Sequence, residues 1–456
     1  MTPEAGSDFT RRSFLRGGSY AAAASLLGGI ELVAESEQAP PPASASGIVN
    51  CAVVGLGSWG REILTTLARL PQAKVVAICD TFPRSLRRAS VIAGGAQGVD
   101  NYQSVLANRD VRAVIVSTPS HRHREVVLAA LQAGKHVYCE APMATTLDDA
   151  RAIALAAKKA APRQHFQVGL QARSDPLRHL IAGFFRAGTP GKPVLARAQW
   201  NKKTSWRVAA ENPERSKEVN WRLDKDVSLG LAGEAAIHHL DSIAWFLNHR
   251  PQAISGFGAV RFWSEDAREV HDTIQLTVEF AEGIRFLEAC TLASSFESDY
   301  EVYYGTDAAV LCRGGKAWLF READAPLLGW EVHARKETFH KETGLVLVAN
   351  ASKQKENPAG EEGQPETPEL QATPLHHALG SFLRSAGDLD NAVEDFVASY
   401  GADDAEALRQ HLETVPLQAS ASYREGFESA VVAIKAHEAV RNGSRIELKP
   451  EWFELA

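Results

Sequence analysis

The stretch Val53-Val54-Gly55-Leu56-Gly57-Ser58-Trp59-Gly60 decides how this chain is read. It joins an apolar run, 48–54, to a segment, 61–70, whose Ile63, Leu64, Leu67 and Leu70 recur with helical period. The reading is strand, tight turn, helix. Gly55 permits the turn, Gly57 lets the backbone approach a pyrophosphate, and Gly60 lets helix and strand pack closely. Ser58 and Trp59 open a helix whose unpaired N–H groups face an anion. The next apolar run, 74–79, ends at Asp80, a carboxylate placed to accept hydrogen bonds from ribose hydroxyls and to repel a 2′-phosphate. The expected cofactor is therefore NAD, with NADP less favoured.

The same alternation continues outward. A buried strand over 111–117 leads to Thr118-Pro119-Ser120-His121-Arg122-His123, a helix over 125–133, a strand over 136–139 and then Glu140-Ala141-Pro142. A helix over 149–160 precedes one more strand at 166–170. Repeated βαβ units predict a parallel Rossmann sheet, and in open α/β sheets ligands bind outside the carboxyl ends of the strands. Thr118, Pro119, His121, His123, Glu140, Ala141 and Pro142 thus flank the nicotinamide side of the expected cleft. His121 and His123 read equally well as solvated loop residues.

Beyond residue 170 the pattern changes. Strand-like runs at 193–200, 253–263, 273–280, 284–292 and 298–311 follow one another through short turns, which predicts a large, mainly antiparallel open sheet. The fold class is α/β followed by α+β. A Lys-, Glu-, Pro- and Gly-rich stretch at 350–373 reads as a mobile surface insertion, and helices over 376–386 and 422–442 as a tail folded back on the body.

Bulk properties agree with two domains, 47–170 and 171–456. A chain of 456 residues exceeds one ordinary core, and a net charge of −7 with both signs interspersed carries no nucleic-acid footprint. The five cysteines lack CxxC pairing, so buried free thiols and no metal site are expected.

Residues 1–46 are read as targeting sequence rather than structure. Thr10-Arg11-Arg12-Ser13-Phe14-Leu15-Arg16 resembles the bacterial twin-arginine signal; it precedes a weakly apolar stretch, 17–34, unsuited to a stable membrane span, and a small-residue site at Ala43-Ser44-Ala45. This implies a periplasmic or otherwise exported protein. Free nicotinamide dinucleotide is expected to be scarce there, so a tightly held cofactor is expected.

From about Val49 to Leu455 the chain resembles the Gfo/Idh/MocA superfamily of sugar and cyclitol oxidoreductases. Three segments carry the resemblance: the glycine turn with Asp80, the run Thr118 to His123 with Ala133-Gly134-Lys135-His136-Val137-Tyr138-Cys139-Glu140-Ala141-Pro142-Met143-Ala144, and Gly233-Glu234-Ala235-Ala236-Ile237-His238-His239-Leu240-Asp241. The resemblance implies a sugar, cyclitol or glycoside substrate, a homo-oligomer built on the open sheet, and a lysine, aspartate and histidine for acid/base work. Here Ala141 stands in the lysine position, Glu234 in that of the first aspartate and Ala236 in that of a glycine.

His238 is the expected general base, because oxidation of an alcohol needs a proton acceptor that titrates near neutrality. Asp241, three residues on along a predicted helix, is placed to orient it, and His239, about 100° round the helix from His238, is a candidate substrate contact. Lys202 or Lys203 is a candidate for the missing cation, and Trp206, Trp221 and Arg222 for the substrate wall; packing roles compete for each. Two other functions stand beside a sugar oxidoreductase: a redox-neutral NAD-dependent glycosidase, and a non-catalytic binding protein.

Overall fold

The computed structural model describes residues 47–334, 336–339, 342–347 and 372–455. The expected export signal and most of the expected surface insertion lie outside the described residues. Among those described, no helix is long and apolar enough to cross a membrane.

Six strands form the first sheet: β1 (Val49–Val54), β2 (Ala73–Cys79), β3 (Gln97–Val99), β4 (Ala113–Val116), β5 (His136–Cys139) and β6 (Phe166–Val168). Their order is β3-β2-β1-β4-β5-β6, with every pair parallel. The helix after the glycine turn spans Ser58–Leu67, earlier than its apolar period suggested, because Gly57 already acts as its N-cap. β3 has almost no apolar periodicity and was not expected; its pairing with β2 depends on the neighbouring strand.

Register places the site. Val54 pairs with Cys79 and Val116, Val116 with Cys139, and Cys139 with Val168. Gly55, Asp80, Ser117, Glu140 and Gly169 each follow one of these residues, so five loops leave the sheet along one edge. These strands are buried on both faces, as a parallel sheet requires.

The second sheet has ten strands: β7 (Pro193–Asn201), β8 (Ala253–Ala259), β9 (Thr273–Glu279), β10 (Arg285–Thr291), β11 (Asp299–Gly305), β12 (Ala308–Arg313), β13 (Lys316–Arg321), β14 (Lys336–Phe339), β15 (Glu342–Leu347) and β16 (Arg445–Glu447). Their order is β14-β15-β13-β12-β11-β7-β10-β9-β8-β16. All pairs are antiparallel except β7 with β10. The run at 298–311 is two strands, not one. Gly305 ends the first, where a Cβ would lie 2.0 Å from the Pro190 carbonyl, and Thr306 and Asp307 turn the chain.

One face of this sheet carries Ala196, Ala198, Phe286, Glu288 and Tyr303 into the core. Alternate positions face outward, with Phe257 65% and Leu287 43% exposed.

The tail is longer than its pattern suggested. One helix runs Pro374–Tyr400, a second, Ala405–Glu413, was not expected, and a third runs Tyr423–Asn442. The first returns to the parallel sheet: Phe382 meets Tyr138 edge-on at 5.6 Å, and Gln167 Nε2 donates to the Ala378 carbonyl. The third seals Leu147–Ala160 against β8. All five cysteines are buried and free.

Candidate active site

The glycine turn is held from both sides. Gly55 has φ +95°, and a Cβ there would lie 2.4 Å from the Ser117 carbonyl; at Gly60 it would lie 2.0 Å from the Gly55 carbonyl. These two glycines serve packing. Gly57 differs, since a Cβ there meets nothing within 4 Å. The helix it caps has no side-chain cap and no acidic residue in its first turn, so the N–H groups around Ser58 and Trp59 are left for an anion. Asp80 braces the turn: Oδ2 accepts from the Leu56 N–H and Oδ1 from the Phe82 N–H, each at 2.8 Å. Each oxygen retains a lone pair for a ribose hydroxyl.

The adjoining loops present polar atoms with nothing to bind. Thr118 Oγ1, His121 Nδ1 and Glu140 Oε1 are buried and unpartnered among the described residues. Buried polar groups are ordinarily hydrogen-bonded, so an open anion cradle beside three unpartnered polar atoms fits a dinucleotide laid across the strand ends. Burial pushes the Glu140 carboxyl up to about 7, against a nearby Trp59 indole that favours its ionised form.

His123 is fully buried beneath the loops. Its Nδ1 lies 3.0 Å from the Pro142 carbonyl and its Nε2 3.0 Å from the Thr118 carbonyl. Burial lowers its pKa to about 4, so it is a neutral ring that donates to one of them and ties the 118–123 loop to the turn after β5. It is scaffold, not a ligand contact. Pro119 caps the short 3₁₀ turn Ser120–Arg122, and Ala141 precedes Pro142 through a cis peptide.

Across the cleft, Ala232–Ala236 forms a π-helical turn that runs into the helix Ile237–Leu247. Such turns recur at functional sites. Glu234 leaves this turn toward the first sheet: Ser120 Oγ donates to Oε1 at 3.3 Å and Arg222 Nε to Oε2 at 2.6 Å. The Arg222 guanidinium lies 4.6 Å from the Trp221 ring, and His121 meets Trp221 edge-on at 5.7 Å. Glu234, Ser120, His121, Trp221 and Arg222 therefore form one cluster that links the loop after β4 to the π-helical turn.

One helical turn on, His238 makes no side-chain hydrogen bond among the described residues. Burial, and next the charge of His239, lower its pKa, while Asp241, Asp299 and Glu234 oppose this. The ring is neutral at neutral pH and able to accept a proton.

Asp241 does not orient His238. Both its oxygens accept from Arg173 at 2.9 Å, and Ser429 donates to Oδ1 at 2.8 Å. A partner more than sixty residues away in sequence outcompetes the helical neighbour because a bidentate guanidinium is a stronger match. His239 takes the opposite course to His238. Its Nδ1 meets both Glu288 oxygens at 2.9 and 3.0 Å, and its Nε2 meets Asp299 Oδ1 at 2.9 Å. Burial alone would lower its pKa, but the Glu288 and Asp299 carboxylates raise it well above the ordinary value. It is a buried imidazolium, not a substrate contact.

Lys202 and Lys203 are exposed, and neither touches Glu234 or His238 among the described residues; Lys203 lies over the Phe262 ring instead. Trp206 packs against the core with φ +63°, unusual for so bulky a side chain. Arg173, Glu288 and Asp299 were missed. Their spacing carries no signal, and only the Glu among apolar residues in β10 marks Glu288 as a buried charge in need of a partner.

Comparison with known proteins follows the same division. Residues 49–169 match the family described as "Oxidoreductase family, NAD-binding Rossmann fold", and residues 179–310 the "GFO/IDH/MocA C-terminal domain", together more than half of the chain. A 1,5-anhydro-D-fructose reductase of Ensifer adhaerens is 29% identical over 272 residues, covering 57% of this chain and 74% of the relative. An inositol 2-dehydrogenase of Saccharopolyspora erythraea is 30% identical over 203 residues, 44% of this chain and 54% of the relative, so the chain spans about half the length of that enzyme. Among solved structures, a levoglucosan dehydrogenase in complex with NADH and levoglucosan superposes with TM-score 0.62 at 17% identity, covering 88% of this chain and 99% of that one. An aldose-aldose oxidoreductase from Caulobacter crescentus gives 0.59 at 18% identity, with 88% and 99% covered. The last two likenesses establish the fold. With the glycine cradle, the aligned strand ends and the matched residues in both sheets, the chain belongs to the Gfo/Idh/MocA family of NAD-binding oxidoreductases.

Proposed function

We propose that this protein holds NAD, in preference to NADP, and uses it to oxidise or reduce a hydroxyl-bearing carbon of a sugar, cyclitol or glycoside, with His238 exchanging the hydroxyl proton. The observation that carries the reading is the meeting of the two halves. The unpartnered Thr118, His121 and Glu140 atoms lie on the loops that Ser120 links to Glu234, one turn from the neutral His238 ring.

The chain's residues divide the work. The 55–60 turn and Asp80 would hold pyrophosphate and ribose, and the Asp80 charge disfavours a 2′-phosphate. The bound nicotinamide would accept or return a hydride at the substrate carbon. An imidazole nitrogen of His238 takes the hydroxyl proton on oxidation and gives it back on reduction. Glu234, fixed by Ser120 and Arg222, sets the charge beside it. The relatives' names point to anhydro sugars and inositols as the substrate class.

Ala141 favours one second reading: with no lysine at this position, transient oxidation, elimination of an aglycone and re-reduction form a redox-neutral glycosidase cycle on retained cofactor. The outward sheet face, with Phe257 and Leu287 exposed, supports a homo-oligomer built on it. Arg11-Arg12 with Phe14 and Leu15 supports export of the folded, cofactor-loaded chain by the twin-arginine route.

The test uses the full-length protein recovered from cell fractions. Periplasmic recovery that is lost on changing Arg11 and Arg12 to Lys supports export, and light scattering reads the oligomer. Nucleotide released on denaturation is identified, and levoglucosan, myo-inositol and 1,5-anhydro-D-fructose are then offered while reduced-nicotinamide absorbance is followed. Absorbance change with a polyol supports net redox chemistry. Cleavage of a nitrophenyl glycoside without net reduction selects the glycosidase. A chain that binds neither NAD⁺ nor NADH ends both enzymatic readings.

A further inference from the structure

The loops at the strand ends bring no free cation to the place where a substrate oxygen would develop negative charge. Ala141 ends in a methyl, and Arg122 is paired on the surface with Glu125. Lys202 and Lys203 stand in solvent. A cation does reach the Glu234 carboxylate from elsewhere. Arg222 sits in the short 3₁₀ turn Trp221–Leu223, more than eighty residues after the last residue of β5.

We infer that Arg222 is the catalytic residue that binds the reacting substrate oxygen. Its Nε donates to Glu234 Oε2 at 2.6 Å, its guanidinium plane lies on Trp221, and its side chain is 37% exposed. Its terminal Nη groups make no hydrogen bond among the described residues, and since one of their N–H bonds shares the Nε edge, up to three N–H donors are directed away from Glu234. Ser120, which binds the other Glu234 oxygen, fixes the pair against the loop after β4. The guanidinium is thus held on one edge and on one face, and open on the other edge.

This assignment rests on the function proposed above and adds a division of roles to it. As a substrate alcohol is oxidised, its O–H proton passes to a ring nitrogen of His238 and the O–H bonding pair becomes the second C–O bond. A bound nicotinamide would accept the hydrogen on carbon together with its electron pair. Negative charge gathers on the oxygen meanwhile, and Arg222 holds it. Arg222 moves no proton, because a guanidinium stays protonated throughout the working range.

The pair also sets the charge beside the nicotinamide ring, which is cationic in NAD⁺ and neutral in NADH. Arg222 and Glu234 together are neutral. Removing either leaves a single charge of known sign, and a group that merely supported the fold would move both affinities together.

The experiment measures dissociation constants for NAD⁺ and NADH on wild type, Arg222→Met and Glu234→Gln at pH 8. The NADH-to-NAD⁺ ratio of dissociation constants is expected to rise about tenfold in Arg222→Met and to fall by a similar factor in Glu234→Gln. The double variant Ala141→Lys with Arg222→Met is expected to return the ratio toward wild type. Ratios unchanged in both single variants, with wild-type nucleotide binding, overturn the role of Arg222 and leave the proposed function standing. A wild-type chain that binds neither nucleotide overturns the proposed function itself.

Discussion

Asp241 and Arg173 form a two-pronged ion pair, with Nε and Nη2 of the guanidinium each 2.9 Å from a carboxylate oxygen. The Asp241 side chain is 2% exposed and that of Arg173 16%, and the Arg173 guanidinium also faces the Trp245 ring at 5.0 Å. The pair joins the segment after β6 to the helix that carries His238, and Ser429 ties the third tail helix to the same carboxylate.

Breaking this pair should unfold the protein more readily. Arg173→Met strands a buried carboxylate, a change that costs about 3–5 kcal/mol when a buried pair loses one partner. Adding Asp241→Leu to Arg173→Met should recover part of the loss. Urea denaturation of the three proteins checks this; a wild-type midpoint in Arg173→Met would disprove it.

His238→Ala should lower turnover by about 10²–10⁴-fold while nucleotide stays bound. Burial and the neighbouring imidazolium of His239 hold the His238 pKa below its ordinary 6.5, and the neutral ring is the active base in oxidation. Wild-type kcat/KM for oxidation should therefore stay level as pH drops through 6.5 and decline only below it. A pH profile with the same acid limb in His238→Ala would remove His238 from the mechanism.

The His239 pairs should contribute pH-dependent stability of defined sign. The folded pKa of His239 is raised, so its contribution is complete below the unfolded value of 6.5 and is lost as pH rises through the folded value. The pKa of Asp299 is lowered from 3.8: burial opposes this, but the bond to His239 prevails, so its contribution is lost as pH falls through the folded value. Asp299→Asn should thus destabilise most between about pH 4 and 6.5 and progressively less at alkaline pH. Thermal melts across pH read this directly, and a pH-independent difference would contradict it.

Two glycines of one turn should respond differently to the same methyl group. Gly60→Ala drives a Cβ against the Gly55 carbonyl and should lower stability and nucleotide binding together. In Gly57→Ala the methyl enters open space at φ −59°, so stability should hold while nucleotide affinity drops at least tenfold. Melting temperatures and NADH titrations of the two variants separate the cases. Full NADH affinity in Gly57→Ala would place the pyrophosphate elsewhere.

The sequence by itself determined the parallel sheet and its turn. Strand, glycine spacing and helix in 48–70 are local features, dictated by backbone freedom and by apolar residues recurring with a fixed period. It also marked Glu234, His238 and the 118–123 loop, because those positions stand in motifs. What only the tertiary structure decided is which charge meets which. Asp241 lies three residues from His238 yet binds Arg173, and His239 becomes an imidazolium through Glu288 and Asp299, both on strands of another layer. Helical spacing states which side chains share a face, but an ion pair forms where burial leaves no water to compete, and burial belongs to the packed whole. Arg222 shows the same limit, since nothing in its own segment announces the carboxylate it meets.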